Sequence, residues 1–470
     1  MITQSNLCLR FPTRFDSGDD TIKKSIVTFA ADKLLCRSSK SKSITKLTAS
    51  ESLACLAVRL CLDFKATSWL DSASERTQVE RHMRICLAAT DGFRTMTTIS
   101  PSEPLLAEAS SVVMRQCLGP KEAPTALLKH INDSYLNAGD RGEVVGALLL
   151  LLARDSAVQG RETPSQSQMD LTNDGITQGR VVTMHDFLDA LVPPDRRPFV
   201  RGQMPIRCAP GHSSEPLARA FARANIYFSH FIKVHDAKMV NRKYLWRLFC
   251  RGAAVICANN QRGVDIIIPV LMGNILDPKF ITAILIQVKN DGHFTDNLCI
   301  SLFDTMDPFA VELFSKTDGA PFPPVLRIVF ALASEKSAVT APNHPTRHSA
   351  RLASEDEFTA YDLWIAGVSS QSFGVVPSDQ TYDVYRHLLD RTRNVFNGYR
   401  TISGVADALT ECEQSRIDLR RMMHAAAASG DMHHQNYVRD LGAVPSNRGY
   451  VVDRYYENHA GMDMDGGGQG

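Results

Sequence analysis

Apolar residues recur at three- and four-residue steps up to about Ala157, which is the spacing of amphipathic helices. The segments with this spacing are SESLACLAVRLCLDF, SERTQVERHMRICLAATDGF, SEPLLAEASSVVMRQCL and RGEVVGALLLLLARDSAV. Several have Ser before Glu at their start, which is typical of a helix cap followed by an acidic first turn. The pattern predicts a helical N-terminal region.

A strand-like pattern follows further along the chain. AAVICA and VDIIIPV flank the turn NNQRG, which is a hairpin signal, and ANIYFSHFIKV alternates around aromatic and β-branched residues. ITAILIQVKN and PVLRIVFALA are nearly unbroken apolar runs, typical of central strands covered on both faces. The short helix RKYLWRLFCRG precedes the hairpin, and YDLWIAGVSS is a weaker strand candidate.

Polar and proline-rich stretches divide the chain and predict its organisation. We expect a helical region at 1–158, a polar linker with a short helix at 159–215, an α/β core at 216–335, a second linker at 336–357, a strand and helices at 358–458, and a tail at 459–470. The expected fold class is α/β (α+β): a mixed central sheet flanked by helices, with helical N- and C-terminal regions.

Three polar side chains interrupt the apolar strands. Asp265 stands at the start of one strand, and Gln287 and Lys289 stand at the end of the next. Because side chains alternate across a strand, Gln287 and Lys289 share a face, and they meet Asp265 at one sheet end if the strands are neighbours. The carboxylate of Asp265, the side-chain carbonyl of Gln287 and the backbone carbonyl of Val288 form a hard oxygen set that suits Mg²⁺ or Mn²⁺. A lysine beside such an ion can activate water for attack on a phosphodiester.

This arrangement resembles the PD-(D/E)xK signature of the restriction-endonuclease-like superfamily, in a D…QxK form. The resemblance implies a mixed sheet of element order α-β-β-β-α-β, in agreement with the order predicted from Tyr244 to Ala333. It also implies that Asp265 and Gln287 hold a metal ion and that Lys289 is the catalytic lysine. The whole chain further resembles a group of proteins from mushroom-forming fungi, which implies nothing about function.

The sequence departs from the signature in two places. Gln287 stands where the family usually has an acidic residue, and Val264 stands where it often has proline. Family members often carry a further glutamate on the first core helix. Glu143 in DRGEVVGALLL is the best positional candidate for it, and Glu215 is a weaker one. An acidic first helical turn is the alternative explanation of Glu143.

A basic stripe lies on the helix before the hairpin, where Lys243, Arg247 and Arg251 recur at four-residue spacing. Such a stripe can bind the phosphates of a nucleic acid, and it is also a common form of solvated helix face. The formal net charge is only +1, so any nucleic-acid binding must come from a local patch of this kind.

Several protein classes lack their sequence signals. The longest apolar run, VVGALLLLLA, is about half of a membrane span. The 11 cysteines are scattered without zinc-ligand spacing, which favours an intracellular protein, cytoplasmic or nuclear, with free thiols. No P-loop, GxSxG or GxGxxG motif occurs at a suitable position.

The leading interpretation is therefore Mg²⁺- or Mn²⁺-dependent hydrolysis of DNA, with DNA favoured over RNA. Two alternatives stay open. One is a catalytically inactive nuclease fold that binds nucleic acid or protein, and the other is a structural α/β scaffold. The sequence alone does not decide whether the protein is an enzyme.

Overall fold

In the computed structural model the described residues are 20–37, 46–62, 69–89, 96–131, 138–161, 181–209, 212, 214–258, 261–315, 322–342, 358–377 and 381–389. The chain divides into two units, Met1–Arg391 and Thr392–Gly470, and every described residue belongs to the first. The helices predicted beyond residue 389 and the tail at 459–470 lie outside the described residues.

Twelve α-helices are described. They are α1 (Asp20–Leu35), α2 (Ala49–Leu60), α3 (Trp69–Arg81), α4 (Pro104–Cys117), α5 (Glu122–Ile131), α6 (Ala138–Arg161), α7 (Met184–Leu191), α8 (Arg197–Arg201), α9 (Leu217–Ala220), α10 (Arg242–Arg251), α11 (Ile300–Thr305) and α12 (Thr381–Leu389). Among them, none is both long and apolar enough to cross a membrane.

Eleven strands are described, in two sheets. They are β1 (Ile85–Ala89), β2 (Met96–Ile99), β3 (Val182–Thr183), β4 (Ala224–Ile226), β5 (His230–Lys233), β6 (Ala253–Ile256), β7 (Ile266–Met272), β8 (Ile281–Lys289), β9 (Val325–Ala331), β10 (Ala338–Thr340) and β11 (Ala360–Ala366). β1 and β2 form a separate antiparallel hairpin, and the other nine strands form one mixed sheet.

The mixed sheet follows the order β10-β11-β9-β8-β7-β4-β3, with β5 and β6 attached through β7. β7 is antiparallel to β6 and β8, whereas β8, β9 and β11 run parallel to one another. One edge of β7 is divided between β6, which pairs at Ile266 and Ile267, and β4, which pairs from Val270 onward. Pro269 lies between these two stretches, where a residue without an N–H interrupts no ladder.

Helices cover both faces of this sheet, so the fold class is α/β with a mixed central sheet, as predicted. The alternation along β8 divides its side chains between two cores: Ile284, Ile286 and Val288 face one layer, and Ala283 and Leu285 face the other. The first layer contains the N-terminal helices α2, α4 and α6, and the second contains α10 and α11. The predicted order helix, strand, strand, strand, helix, strand is observed as α10, β6, β7, β8, α11, β9.

A buried ionic cluster, which we call the Asp155 cluster, fixes α6 to α2 and to the sheet. Arg59 of α2 donates to both carboxylate oxygens of Asp155 in α6, at 2.6 and 2.9 Å, and to the backbone carbonyl of Ser229 between β4 and β5, at 2.8 Å. Arg154 and Ser111 also donate to Asp155, at 3.0 and 3.2 Å. Both carboxylate oxygens of Asp155 therefore accept hydrogen bonds from buried side chains.

One predicted helix is wrong in its second half. The helical spacing in SERTQVERHMRICLAATDGF extends past Arg81, but the structure ends α3 there, places Met83 at φ 60° and continues into β1. The buried guanidinium of Arg84 donates to Thr98 Oγ1 at 2.6 Å and to the carbonyl of Leu62 at 3.1 Å. These long-range contacts end the helix although the local apolar spacing continues. The spacing of apolar residues carries no information about such contacts.

The sheet also extends beyond residues 216–335. β10 lies within the stretch that the sequence predicts as a linker, and β11 continues the parallel part of the sheet on the far side of β9. YDLWIAGVSS is therefore confirmed as a strand, with all seven residues of β11 buried. ANIYFSHFIKV forms two short strands, β4 and β5, which pair with different neighbours.

Candidate functional site

Asp265 lies immediately before β7, between β6 and β8. Its backbone carbonyl accepts from the N–H of Cys257 at 2.8 Å, and its own N–H donates to the carbonyl of Ile286 at 2.9 Å. Its carboxylate accepts from the N–H of Val288 at 2.6 Å. The carboxylate of Asp265 thus accepts a backbone N–H of β8 as a neighbouring strand would. We call the end of the sheet where β7 begins and β8 ends the Lys289 end.

Gln287 and Lys289 lie at the C-terminal end of β8, on the face that Leu285 also occupies. Gln287 is 6% exposed, and its Oε1 is buried without a hydrogen-bond partner among the described residues. Lys289 is half-buried, with its Nζ 5.7 Å from the ring centroid of Phe294. β8 therefore places the unpartnered Oε1 of Gln287 and the ammonium of Lys289 beside Asp265. We call Asp265, Gln287 and Lys289 the Asp265 cluster.

The charge of Asp265 is poorly compensated. Burial raises the pKa of its carboxyl group above the usual range, although the N–H of Val288 and the charge of Lys289 act in the opposite direction. Lys289 is thus close enough to Asp265 to interact with it electrostatically. A cation at this position would lower the cost of burying the carboxylate, so the raised pKa is consistent with a metal site.

Glu143 lies at the same end of the sheet, on the opposite layer. The neighbouring Gly142 packs so closely on β8 that a Cβ there would be 2.8 Å from the Cβ of Asn290 and 3.4 Å from Val288 Cγ1. The pKa of the buried Cys257 thiol is raised well above its usual value by burial and then by the charges of Asp265 and Glu143. Both carboxylates therefore act on the same thiol.

Glu215, the weaker candidate, lies elsewhere. Its backbone carbonyl accepts from the hydroxyl of Tyr361 at 2.7 Å, near the start of β11. Because β8 and β11 run in the same direction, the start of β11 lies at the sheet end opposite Lys289. The structure does not bring Glu215 together with Asp265.

The oxygen donors at the Lys289 end fit a hard divalent cation. Within a strand the N–H and C=O of one residue point to the same side, so the Val288 carbonyl points toward β7 and Asp265, like its N–H. No group of three or more His, Cys, Asp or Glu residues able to hold a metal occurs in the described part of the chain. A set with one or two carboxylates, an amide oxygen and a backbone carbonyl suits Mg²⁺, which keeps several waters.

The basic stripe on α10 is mostly separate from these residues. Lys243 and Arg247 are exposed, but Arg251 is half-buried and donates to the carbonyl of Ser102 at 2.7 Å. At the N-terminus of α10, Arg242 donates to the carbonyl of Lys279, just before β8 begins. From there β8 extends through nine residues to Lys289, or about 26 Å. Lys243 therefore lies near the opposite end of the sheet, and Arg251 has a structural contact.

The turn NNQRG contains a site feature that the sequence analysis missed. Both polar atoms of the Gln261 side-chain amide are buried and have no hydrogen-bond partner among the described residues. In the sequence, Gln261 has the appearance of any polar residue in a hairpin turn. No local pattern distinguishes a buried glutamine from an exposed one at such a position.

Known proteins give no guide to this site, because no protein-family model, curated protein or solved structure matches the chain. The interpretation of the Asp265 cluster consequently rests on its own geometry.

Proposed function

We propose that the protein is a phosphodiesterase of the DNA-endonuclease type that depends on Mg²⁺ or Mn²⁺. The observation that carries the proposal is the buried, unmet Oε1 of Gln287 beside the Asp265 carboxylate of raised pKa. Buried polar atoms in proteins usually have partners, so an unmet amide oxygen beside a carboxylate that is only partly compensated supports a cation or substrate at this position. Lys289 adds the third group that phosphodiester hydrolysis needs.

Each residue has a distinct role in this proposal. Asp265, the Gln287 amide oxygen and the Val288 carbonyl would hold the metal ion, with Glu143 of α6 as a further carboxylate at the same end of the sheet. When bound, the ion would supply positive charge for the phosphate oxygens and would polarise a water molecule. Lys289, as an ammonium, donates to the attacking water and orients it; the water releases its proton to solvent as the new phosphorus–oxygen bond forms, the bond to the leaving oxygen breaks, and that oxygen takes a proton from solvent. The Nζ of Lys289 lies over the ring of Phe294, 5.7 Å from its centroid.

A second candidate function is a catalytically inactive nuclease fold that binds nucleic acid or protein. It is favoured by Gln287, which removes a negative charge from the metal site, and by the N–H of Val288, which already occupies one carboxylate oxygen of Asp265. Such a protein keeps the fold and binds nucleic acid or protein, but has no hydrolytic activity.

The proposal includes an intracellular location, cytoplasmic or nuclear, where DNA or RNA is present. The cysteines within the described residues are all free, which agrees with a reducing compartment. DNA is preferred over RNA as the substrate because the endonuclease resemblance implies it.

The test is cleavage of linear, circular and single-stranded DNA in Mg²⁺ or Mn²⁺ by the full-length chain. Asp265→Ala and Lys289→Ala should each reduce the rate by at least about 100-fold, because each removes a group that acts on the transition state. Asp304→Ala and Lys336→Ala, which remove exposed charges, are the matched controls and should cleave normally.

Two outcomes contradict the proposal. No cleavage of any substrate favours the inactive fold. Cleavage that survives in both site variants assigns the activity to other residues or to a contaminant. A second readout is independent of activity: Mg²⁺ should raise the melting temperature of the parent chain and not that of Asp265→Ala.

A further inference from the structure

We propose that a second copy of this chain covers strand β1, so that the protein forms a symmetric dimer through the β1–β2 hairpin. The contact surface consists of the exposed apolar side chains of the hairpin, with Leu87 at the two-fold axis. This inference concerns residues outside the Asp265 cluster and does not depend on the proposed function.

β1 is the most exposed strand in the described part of the chain. All five of its residues, ICLAA, are exposed, whereas every other described strand has at least one buried residue. The side chain of Ile85 is 43% exposed and that of Leu87 is 58% exposed. A strand without a charged or hydrogen-bonding side chain is normally buried, and an apolar patch that stays exposed is typical of an interaction site.

The two faces of the hairpin differ. Ile85 pairs with Ile99 of β2, so these two side chains lie on one face, and both are exposed, as is Met83 just before β1. The next residue of β2, Thr98, points to the other face and is buried, where its Oγ1 accepts from Arg84 at 2.6 Å. The hairpin is therefore attached to the rest of the protein by one face and exposes apolar side chains on the other.

The hairpin is incomplete as a sheet. It has two strands, and the outer edge of β1 has no strand partner among the described residues. The register shifts between Cys86 and Ala88, which leaves Leu87 without a partner residue on β2. Two-stranded sheets are only marginally stable in water unless another layer covers them. A second copy supplies that layer over β1.

The charge of the hairpin favours a second copy over other occupants. The basic residues among 82–89 are His82 and Arg84, which are both buried, and β2 has no charged residue. Such a surface meets its own copy without like-charge repulsion, and it offers no attraction to a nucleic acid, an anionic membrane or a charged peptide. A residue on a two-fold axis meets its own copy. We place Leu87 there because it is the middle residue of β1 and the most exposed one of the patch.

The size of the patch predicts a weak dimer. Only a few apolar side chains contribute, whereas a standard interface has about 20–30 residues on each side, so we expect a dissociation constant of about 1 μM or higher. Sedimentation velocity of the full-length chain at about 1 to 200 μM spans this range. The mass should rise with concentration from 51.9 kDa toward twice that value.

A charge on the axis should prevent the association. Leu87→Lys places two ammonium groups opposite each other and should weaken dimer formation by at least about 10-fold. The matched control is Leu276→Lys, because Leu276 is 49% exposed in the loop between β7 and β8 and should not affect the dimer. Both variants should keep the parental melting temperature at 1 μM chain, about the lower end of the range above, since both side chains are exposed. This separates lost association from misfolding.

A second experiment locates the axis. In a Cys86→Ser background, which removes the exposed native thiol of β1, Leu87→Cys should form a disulfide between two chains under mild oxidation. Leu276→Cys in the same background should give no more cross-linked product than the background itself. Non-reducing gel electrophoresis measures both yields.

The outcomes decide the proposal. A parent chain that stays monomeric up to the highest concentration overturns it, whatever else covers β1. A dimer that persists in Leu87→Lys, or a disulfide that forms equally at positions 87 and 276, also overturns it, because the contact then lies elsewhere. A dimer that is lost in Leu87→Lys, is kept in Leu276→Lys and is cross-linked through Leu87→Cys supports it.

Discussion

Two buried aspartates, Asp155 and Asp265, differ in how completely their surroundings satisfy them. Asp155 accepts from Arg59, Arg154 and Ser111, whereas Asp265 accepts from the N–H of Val288. Burial alone would raise the pKa of both groups, but Arg59 and Arg154 outweigh it at Asp155 and lower the pKa there. At Asp265 the pKa stays raised because Val288 and Lys289 compensate only partly.

The comparison distinguishes a polar cluster whose carboxylate has many partners from one that keeps unused hydrogen-bonding capacity. The carboxylate of Asp155 already accepts four hydrogen bonds, from Arg59, Arg154 and Ser111, which leaves it little capacity for an external group. The Asp265 cluster lies at a sheet end, includes the unmet Oε1 of Gln287, and keeps an ammonium nearby without surrounding its carboxylate. Its incompleteness is the property expected of a binding or catalytic site.

Breaking the Asp155 cluster should give the largest effect on stability. Arg59→Met removes the bidentate partner of Asp155 and the donor to Ser229, so it should reduce the free energy of unfolding by about 3–5 kcal/mol. Urea denaturation monitored by circular dichroism measures this loss. A small effect of Arg59→Met would show that Arg154 alone compensates Asp155.

The matched change in the other cluster is Lys289→Met, since Lys289 is half-buried and makes no comparable bidentate pair with Asp265. We expect it to change the free energy of unfolding by less than about 1 kcal/mol. If the two methionine variants lost equal stability, the distinction between a structural and a functional cluster would fail.

Removing the charge of Asp155 should lower the free energy of unfolding at pH 7, whereas removing the charge of Asp265 should leave it unchanged or raise it. The lowered pKa of Asp155 means that its contribution to stability is present above the unfolded pKa and is lost as pH falls through the folded pKa. Asp155→Asn should therefore be less stable than the parent at pH 7, by about 1–3 kcal/mol, and the difference should shrink in acid.

Asp265 behaves in the opposite way. Its raised folded pKa means that its contribution is present below the unfolded pKa, about 4, and is lost as pH rises through the folded value. Asp265→Asn keeps an acceptor for the N–H of Val288 and should be as stable as the parent or more stable at pH 7. Thermal melts of both asparagine variants at pH 5 and pH 7 check the two signs together. If Asp265→Asn were less stable than the parent at pH 7, burial of the charged carboxylate would not be unfavourable, contrary to its raised pKa.

The strand pattern predicted part of the meeting of the Asp265 cluster. The hairpin signal around NNQRG predicted that β6 and β7 are neighbours, and alternation placed Gln287 and Lys289 on one face; the pairing of β7 with β8 was only assumed in the sequence analysis, and the structure shows it. These are local rules of period and turn, so they depend little on the rest of the chain. The α/β class followed from the same rules.

Properties that depend on distant contacts were not predictable. The stripe on α10 is regular in sequence, but the partner of Arg251 is Ser102, about 150 residues earlier. The burial of Gln261 and of Gln287 Oε1 depends on how loops and helices close over the sheet end. A single sequence specifies periodicity well and specifies long-range pairing only weakly.

A further change makes the Asp265 cluster more like the usual acidic one. Gln287→Glu places a second carboxylate beside Asp265, so without metal the variant should lose about 1 kcal/mol of stability through charge repulsion and burial. Mg²⁺ should reverse this loss, because a ligand bound only by the folded state at ten times its Kd stabilises by about 1.4 kcal/mol. Thermal melts across a Mg²⁺ titration measure both effects, with Gln203→Glu, an exchange at a less buried glutamine, as the control. If Mg²⁺ stabilises neither the parent nor Gln287→Glu, the oxygen donors at the Lys289 end do not form a metal site, and the unmet amide oxygen of Gln287 requires another explanation.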